Sequence, residues 1–402
     1  MRPESRNHRT GEAARSRKLP GLPHNQLLRA AKSSLPGILH LIRTLVEIES
    51  PSDDKPAVDR CVAAVEQHCV AMGGEPRRHP QVQFGDLLEV RFGLRGSSLK
   101  PILLLGHLDT VWPLGTLGGM PFRVDNERAS GPGVLDMKAG VAMALTALRI
   151  LQEESLLERP LTLLLNSDEE VGSPASRPVT EKLASECEAV FVLEPAQGLQ
   201  GAYKTARKGV GEFKVHIGGV AAHSGVDFER GHSAIAELAR QIERIAAFTD
   251  LPSGLTVNLG VIGGGTRSNV IAAEAWAQVD VRIAKRSQAA KIQRLFHSLR
   301  PIDTACSIRV DGGVNRPPME RTPSTVRMFK QAARLARGMG FDLGEAATGG
   351  GSDGNFTSAL GISTLDGMGA VGEGAHAPHE YLLIEHLAPR TALLAAMLLP
   401  HG

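Results

Sequence analysis

Leu103-Leu104-Leu105-Gly106-His107-Leu108-Asp109-Thr110-Val111 is the stretch whose reading decides the fold. An apolar run stops at Gly106 and then presents a histidine and an aspartate two positions apart. Period-2 alternation puts His107 and Asp109 on one side of an extended strand end. A carboxylate placed there can take the free ring N–H of a metal-ligating imidazole, fixing its tautomer and raising its basicity. Taken alone, the pattern also describes a buried strand that simply ends in polar residues.

Outward from this stretch the pattern repeats. Residues 101–106 are apolar throughout and 161–165 are apolar but for Thr162, as expected of strands covered on both faces. The second run ends in Asn166-Ser167-Asp168-Glu169-Glu170-Val171-Gly172-Ser173. Three consecutive carboxylates beside a buried strand are costly to hold without a compensating cation. The alternative is a solvated charge run. A third apolar run, 190–193, delivers Glu194. A Gly/Pro-rich loop over 112–133 lacks periodicity and reads as functional. It leads to Asp136, just before a small-residue helix over 139–147 that Asp136 is also placed to cap. Helical spacing appears over 35–48 and 56–72. Strands alternating with helices, each strand dropping a histidine or carboxylate at its end, predict a mixed α/β/α sheet that binds ligands at the carboxyl ends of its strands.

Near residue 205 the pattern changes. Residues 211–218, 255–262 and 275–283 alternate, 305–310 is a further strand, and 234–248 and 287–299 are helical. Strands with one polar face plus two helices predict an α+β layer with a four-stranded antiparallel sheet. The expected organisation is a disordered basic tail over 1–30, a catalytic metal-binding domain over 31–207 and 317–402, and an inserted domain over 208–316. Two domains suit 402 residues. The tail is rich in arginine and interrupted by Pro3, Pro20 and Pro23.

Composition narrows the function classes. A net charge of +2, with 45 basic and 43 acidic residues, gives no reason to expect a polyanion partner. Aromatics make up only 4%, which argues against base stacking, so no nucleic-acid partner is expected. No apolar run approaches the roughly 18–20 residues of a membrane span. Cys61, Cys69, Cys187 and Cys306 form no C-x-x-C pair and read as buried thiols of a reducing, cytoplasmic compartment.

Five ligand-type residues stand out: His107, Asp136, Glu170, Glu194 and His376. Two imidazoles and three carboxylates suit a pair of zinc ions per chain, with manganese or cobalt as alternatives, sharing one carboxylate. Glu169 is left over as a base beside a ligand.

Gly106-His107-Leu108-Asp109-Thr110-Val111, Gly133-Val134-Leu135-Asp136-Met137-Lys138-Ala139-Gly140, Asp168-Glu169-Glu170-Val171-Gly172-Ser173 and His376-Ala377-Pro378-His379-Glu380-Tyr381 together resemble the motifs of the co-catalytic zinc exopeptidases and amidohydrolases. That family includes glutamate carboxypeptidase, aminoacylase, acetylornithine deacetylase and succinyl-diaminopimelate desuccinylase. The likeness runs from about residue 35 to the C-terminus. Through Arg207-Lys208-Gly209-Val210-Gly211 and Gly350-Gly351-Ser352-Asp353-Gly354-Asn355 it is strongest to the glutamate carboxypeptidase branch.

The resemblance implies that His107 and Glu194 complete one metal site, Glu170 and His376 the other, and that Asp136 bridges. It implies a cis peptide after Asp136, Asp109 orienting His107, and Glu169 as general base, with His379 a bystander. It makes the inserted domain a lid that pairs with its twin in a homodimer, with His223 reaching the partner's active site. The implied reaction is hydrolysis of an amide bond beside a free carboxylate, in a peptide or N-acyl amino acid, with Lys208, Asn269 and Arg316 as candidate carboxylate binders. Two rivals are a metal-dependent aminopeptidase or dipeptidase, which would need an acidic group for the substrate amine, and a catalytically inactive binding protein.

Overall fold

The computed structural model describes residues 24–93 and 97–400. Its largest sheet has six strands in the order Glu75–His79, Leu87–Phe92, Leu161–Asn166, Ile102–His107, Ala189–Val192 and Ser363–Leu365. The last four run parallel and the first two antiparallel to their neighbours, so the sheet is mixed. Apart from Thr162 and the terminal His107 and Asn166, the central strands are apolar, because each face packs a separate layer. Leu104, Leu163 and Phe191 join the large core with helices Leu35–Val46, Ala139–Glu153 and Leu387–Leu398. Leu103, Leu105, Leu164, Val190 and Val192 face the other way, onto helix Arg177–Glu186. Gly140 is needed for this packing: a Cβ there would lie 2.0 Å from the Leu193 carbonyl oxygen.

A second sheet is antiparallel throughout, in the order Thr256–Gly264, Glu274–Ile283, Gly209–Gly218 and Ser307–Arg316. Strand Gly209–Gly218 alternates buried and partly or fully exposed residues as period-2 patterning requires. Phe213, Val215 and Ile217 build its own core with helices Ala234–Ala246 and Arg286–His297. Phe213 stacks on Phe296 with ring centroids 3.9 Å apart.

The structure corrects the N-terminal expectation. Residues 24–30 belong not to a disordered tail but to helix His24–Ser33, which buries Leu27 and Ala31 in the main core. Counting arginines and prolines hid the apolar stripe that holds this helix down. The earlier part of the expected tail lies outside the described residues. The 112–133 loop also carries two three-residue strands, Arg123–Asp125 and Arg128–Ser130, too short to leave a periodic signal. The second of them pairs with Tyr381–Leu383, drawing this loop to the segment that follows His376.

Candidate metal centre

His107 is the last residue of its strand and is buried. Its Nε2 lies 3.3 Å from Asp136 Oδ1 and 3.6 Å from Glu194 Oε1. The other oxygen of Asp136, Oδ2, lies 3.4 Å from His376 Nε2, which is 3.1 Å from Glu170 Oε2. Asp136 thus stands between two imidazoles, one per oxygen, with Glu194 beyond the first and Glu170 beyond the second. The Asp136–Met137 peptide is cis. His376 enters from a loop with a left-handed backbone, φ 64°. Neither an ion pair nor a hydrogen bond joins His379 to this cluster among the described residues.

The donor set fits metal ions. His107 Nε2, Asp136 Oδ1 and Glu170 Oε1 are all buried without a hydrogen-bond partner. Buried polar atoms are normally satisfied, so three orphans converging on one spot indicate a group that these side chains are shaped to hold. The electrostatics agree. Burial opposes charge on His107, yet Asp109, Asp136 and Glu194 around it hold its pKa well above the ordinary range. Hydrogen bonds to Asp136 and Glu170 push His376 up to about 10. Burial raises Glu170, against the pull of His376.

The surroundings hold the cluster in place. His107 Nδ1 meets the Asp109 carbonyl at 3.0 Å and the Asp109 carboxylate only at 3.4 Å, so the backbone makes the shorter contact to the ring. The Asp109 carboxylate instead accepts from Ser52 Oγ at 2.7 Å and from the amides of Glu169 and Glu170 at 3.3 and 3.1 Å. It therefore ties the His107 strand to the turn carrying the two glutamates. The three consecutive carboxylates do not act together. Asp168 turns away and accepts from the amides of Ala175 and Ser176 at 2.7 and 3.1 Å. Only Glu169 and Glu170 face the cluster, which lessens the repulsion expected from three.

Glu169 lies within reach of His107 and Glu194. Its Oε1 is 3.0 Å from Arg316 Nη2. Burial raises its pKa well above the usual carboxylate range despite Arg316. Arg316 itself presents no free fork. Nη1 binds Asp353 at 2.7 Å, and Nη2 donates to the Glu169 carbonyl and Ser173 Oγ, both at 2.9 Å. The guanidinium expected to grip a substrate carboxylate is thus engaged by the chain's own Asp353 and Glu169, and a substrate would have to displace one of them.

The remaining candidates lie apart. Lys208 lines a cavity of about 360 Å³ with Lys285, Arg321 and Thr348, where the chain crosses between the two sheets. His223 and Asn269 are exposed neighbours on the four-stranded-sheet side, joined by a 3.1 Å bond from the Ser224 amide to the Asn269 carbonyl. No hydrogen bond or ion pair links either to the metal cluster among the described residues.

Two groups escaped the sequence reading. Arg207 donates to Glu194 Oε2 at 3.0 Å and grips Asp366 with Nε and Nη2 at 2.8 and 2.6 Å. It anchors the Glu194 carboxylate from behind. Glu380, fully buried, accepts from the amides of Leu135 and Asp136. Both stand inside the quoted motifs, yet nothing in their spacing marks them as supports and not bystanders.

A mixed α/β domain presenting paired imidazoles and carboxylates at its strand ends, with a separate antiparallel lid sheet, defines a metal-dependent hydrolase. Residues 103–399 match peptidase family M20/M25/M40, and the chain belongs to this family of metallopeptidases. It is 29% identical over 383 residues to Carboxypeptidase G2 of Pseudomonas sp. (strain RS-16), covering 93% of this chain and 91% of that protein. Its fold matches a Staphylococcus aureus tripeptidase with a TM-score of 0.77 at 19% identity, covering 90% of this chain and 97% of that one. It also matches a dinuclear metal binding peptidase of the M20 family from Bacillus subtilis, with a TM-score of 0.67 at 17% identity, covering 92% and 99%.

Proposed function

We propose that this chain is a glutamate carboxypeptidase-like hydrolase, releasing a C-terminal amino acid or deacylating an N-acyl amino acid, with two zinc ions per chain. The observation that carries the reading is the Asp136 carboxylate, which offers one oxygen towards His107 and Glu194 and the other towards His376 and Glu170. Each half supplies one imidazole and one carboxylate of its own, and Asp136 is common to both. Ions held there would supply Lewis acidity to the scissile carbonyl and to the attacking water.

The chain's own residues do the rest. Glu169, beside the cluster and outside the ligand pairs, takes a proton at its carboxylate and returns it to the leaving amine. Arg316 keeps that carboxylate in place through its 3.0 Å contact. His223 accepts from the Gly225 amide at Nδ1, 3.1 Å away, which leaves Nε2–H free to donate outward. We assign it to the active site of a second copy, as the donor to the oxyanion formed from the scissile carbonyl. The lid over 208–316 would make the homodimer. Strand Thr256–Gly264 is an outer strand of its sheet, and Val261 and Ile262 are exposed along it. Lys208 and Asn269 remain the proposed carboxylate binders, and Arg316 would join them only by releasing Asp353 or Glu169. Four unpaired buried cysteines support a cytoplasmic setting.

The carboxypeptidase reading is favoured over an aminopeptidase by the likeness to Carboxypeptidase G2 along 93% of the chain. The test is a panel of N-acyl amino acids and dipeptides, each offered with its carboxylate free and as the amide. The metal-loaded protein is expected to cleave N-acyl glutamate and related acids and to lose that activity when the carboxylate is amidated. Preference for substrates with a free amine and a blocked carboxylate would identify an aminopeptidase instead.

A further inference from the structure

Glu380 has no exposed surface, yet it is a carboxylate four residues after His376. Its Oε2 accepts from Trp112 Nε1 and the Gly133 amide, both at 2.9 Å. Its Oε1 accepts from the amides of Leu135 and Asp136 at 2.8 and 3.0 Å. Four donors converge on one buried anion, and they come from two segments far away in the chain. Trp112 lies five residues after His107, the last residue of its strand. Gly133, Leu135 and Asp136 form the turn that presents the shared carboxylate. Glu380 itself closes the loop that delivers His376.

Gly133 has φ 70°, and a Cβ there would lie 2.6 Å from Thr110 Cγ2. The backbone of the turn thus lies close against the Thr110 side chain, and the amides of residues 133, 135 and 136 point inward and need an acceptor. A buried carboxylate accepting charge-assisted bonds supplies two oxygens and about four lone-pair sites, enough for all four donors. A neutral amide side chain of the same shape would offer one oxygen and would turn an N–H₂ towards two of the donors.

We infer that Glu380 is the positioning residue of the metal centre: it clamps the strand end bearing His107, the turn bearing Asp136 and the loop bearing His376 to one another, and so sets the aim of the shared carboxylate. The inference rests on the metal-centre reading above. It assigns Glu380 no contact with substrate or metal. A residue that merely stabilised the fold would leave zinc affinity of the folded protein untouched, whereas a positioning residue alters that affinity directly.

The experiment measures zinc affinity of folded, metal-stripped protein by competition with a chromogenic chelator. It uses wild type, Glu380→Gln, Glu380→Asp and the neighbouring control Glu373→Gln, whose carboxylate accepts from Tyr381 Oη at 3.0 Å. Circular dichroism confirms that each metal-free sample is folded. Loss of such supporting contacts weakens metal binding by about 10–100-fold, and that loss is expected for Glu380→Gln. Glu380→Asp, which keeps the charge but is too short to reach all four donors, should show a smaller loss, and Glu373→Gln none. If Glu380→Gln does not fold, Glu380→Asp decides. Wild-type affinity in either folded Glu380 variant overturns the inference, as does an equal loss in Glu373→Gln. Wild-type protein that takes up no zinc would instead overturn the metal-centre reading itself.

Discussion

Glu169→Gln is expected to lower kcat by about 10²–10⁴-fold while metal content stays at the wild-type level. The substitution keeps the shape of the side chain and an oxygen for Arg316, which now sits 3.0 Å from Glu169 Oε1. What it removes is the ability to take a proton. An interaction made only in the transition state lowers kcat and kcat/KM together, and that is the kinetic pattern expected here. The measurement pairs steady-state kinetics with elemental analysis of the same preparation. Its second half matters because Glu169 lies near His107 and Glu194 in a group that could itself hold an ion. A variant that lost metal along with activity would make Glu169 a ligand and transfer the proton-carrying role to a neighbour.

His223→Ala is expected to cost about 10²–10³-fold in kcat, the usual effect of removing one oxyanion donor. The loss should be recoverable in trans. In a mixture of His223→Ala and Glu169→Ala chains that exchange freely, half of the dimers are mixed. Each mixed dimer has one site with an intact base from its own chain and an intact imidazole from its partner. Activity should therefore return to about a quarter of wild type. The physical ground is that His223 is exposed and, among the described residues, makes no hydrogen bond or ion pair to its own chain's metal cluster, while its Nδ1 is engaged by Gly225. If the histidine serves its own chain, both sites of a mixed dimer stay defective and mixing restores nothing. A fully active monomer would likewise rule out a role in trans.

The parts of this molecule that were legible in its sequence share a cause. Leu103–Leu105 and, Thr162 apart, Leu161–Leu165 are apolar because both faces of the central sheet are covered, and an unpaired polar group is costly to bury there. A histidine or carboxylate at the end of such a run, as His107 and Glu194 are, therefore stands out, and the structure brings these two together with Asp136, Glu170 and His376. What the sequence could not show is which partner each charged group takes. The fork of Arg316 suits a carboxylate from any source, and the structure gives it Asp353, 37 positions away. Glu380 and Asp136 are 244 positions apart, so no local spacing connects them. Asp168 is chemically the equal of Glu169 and Glu170, and only the turn after it directs its side chain to the Ala175 and Ser176 amides. Short elements were lost for a different reason. Strands of three residues, such as Ser363–Leu365, are shorter than the window in which any period can be read.

The central claim is that Asp136 is shared between two metal sites, and stoichiometry tests it most directly. Protein stripped with a chelator, reloaded with zinc and freed of excess metal should carry two ions per chain by elemental analysis. Replacing Asp136 with Asn should lower the affinity of both sites together, because both lose the same ligand. One ion per chain at saturation, or an Asp136→Asn protein that loses one ion and keeps the other at wild-type affinity, would contradict the account.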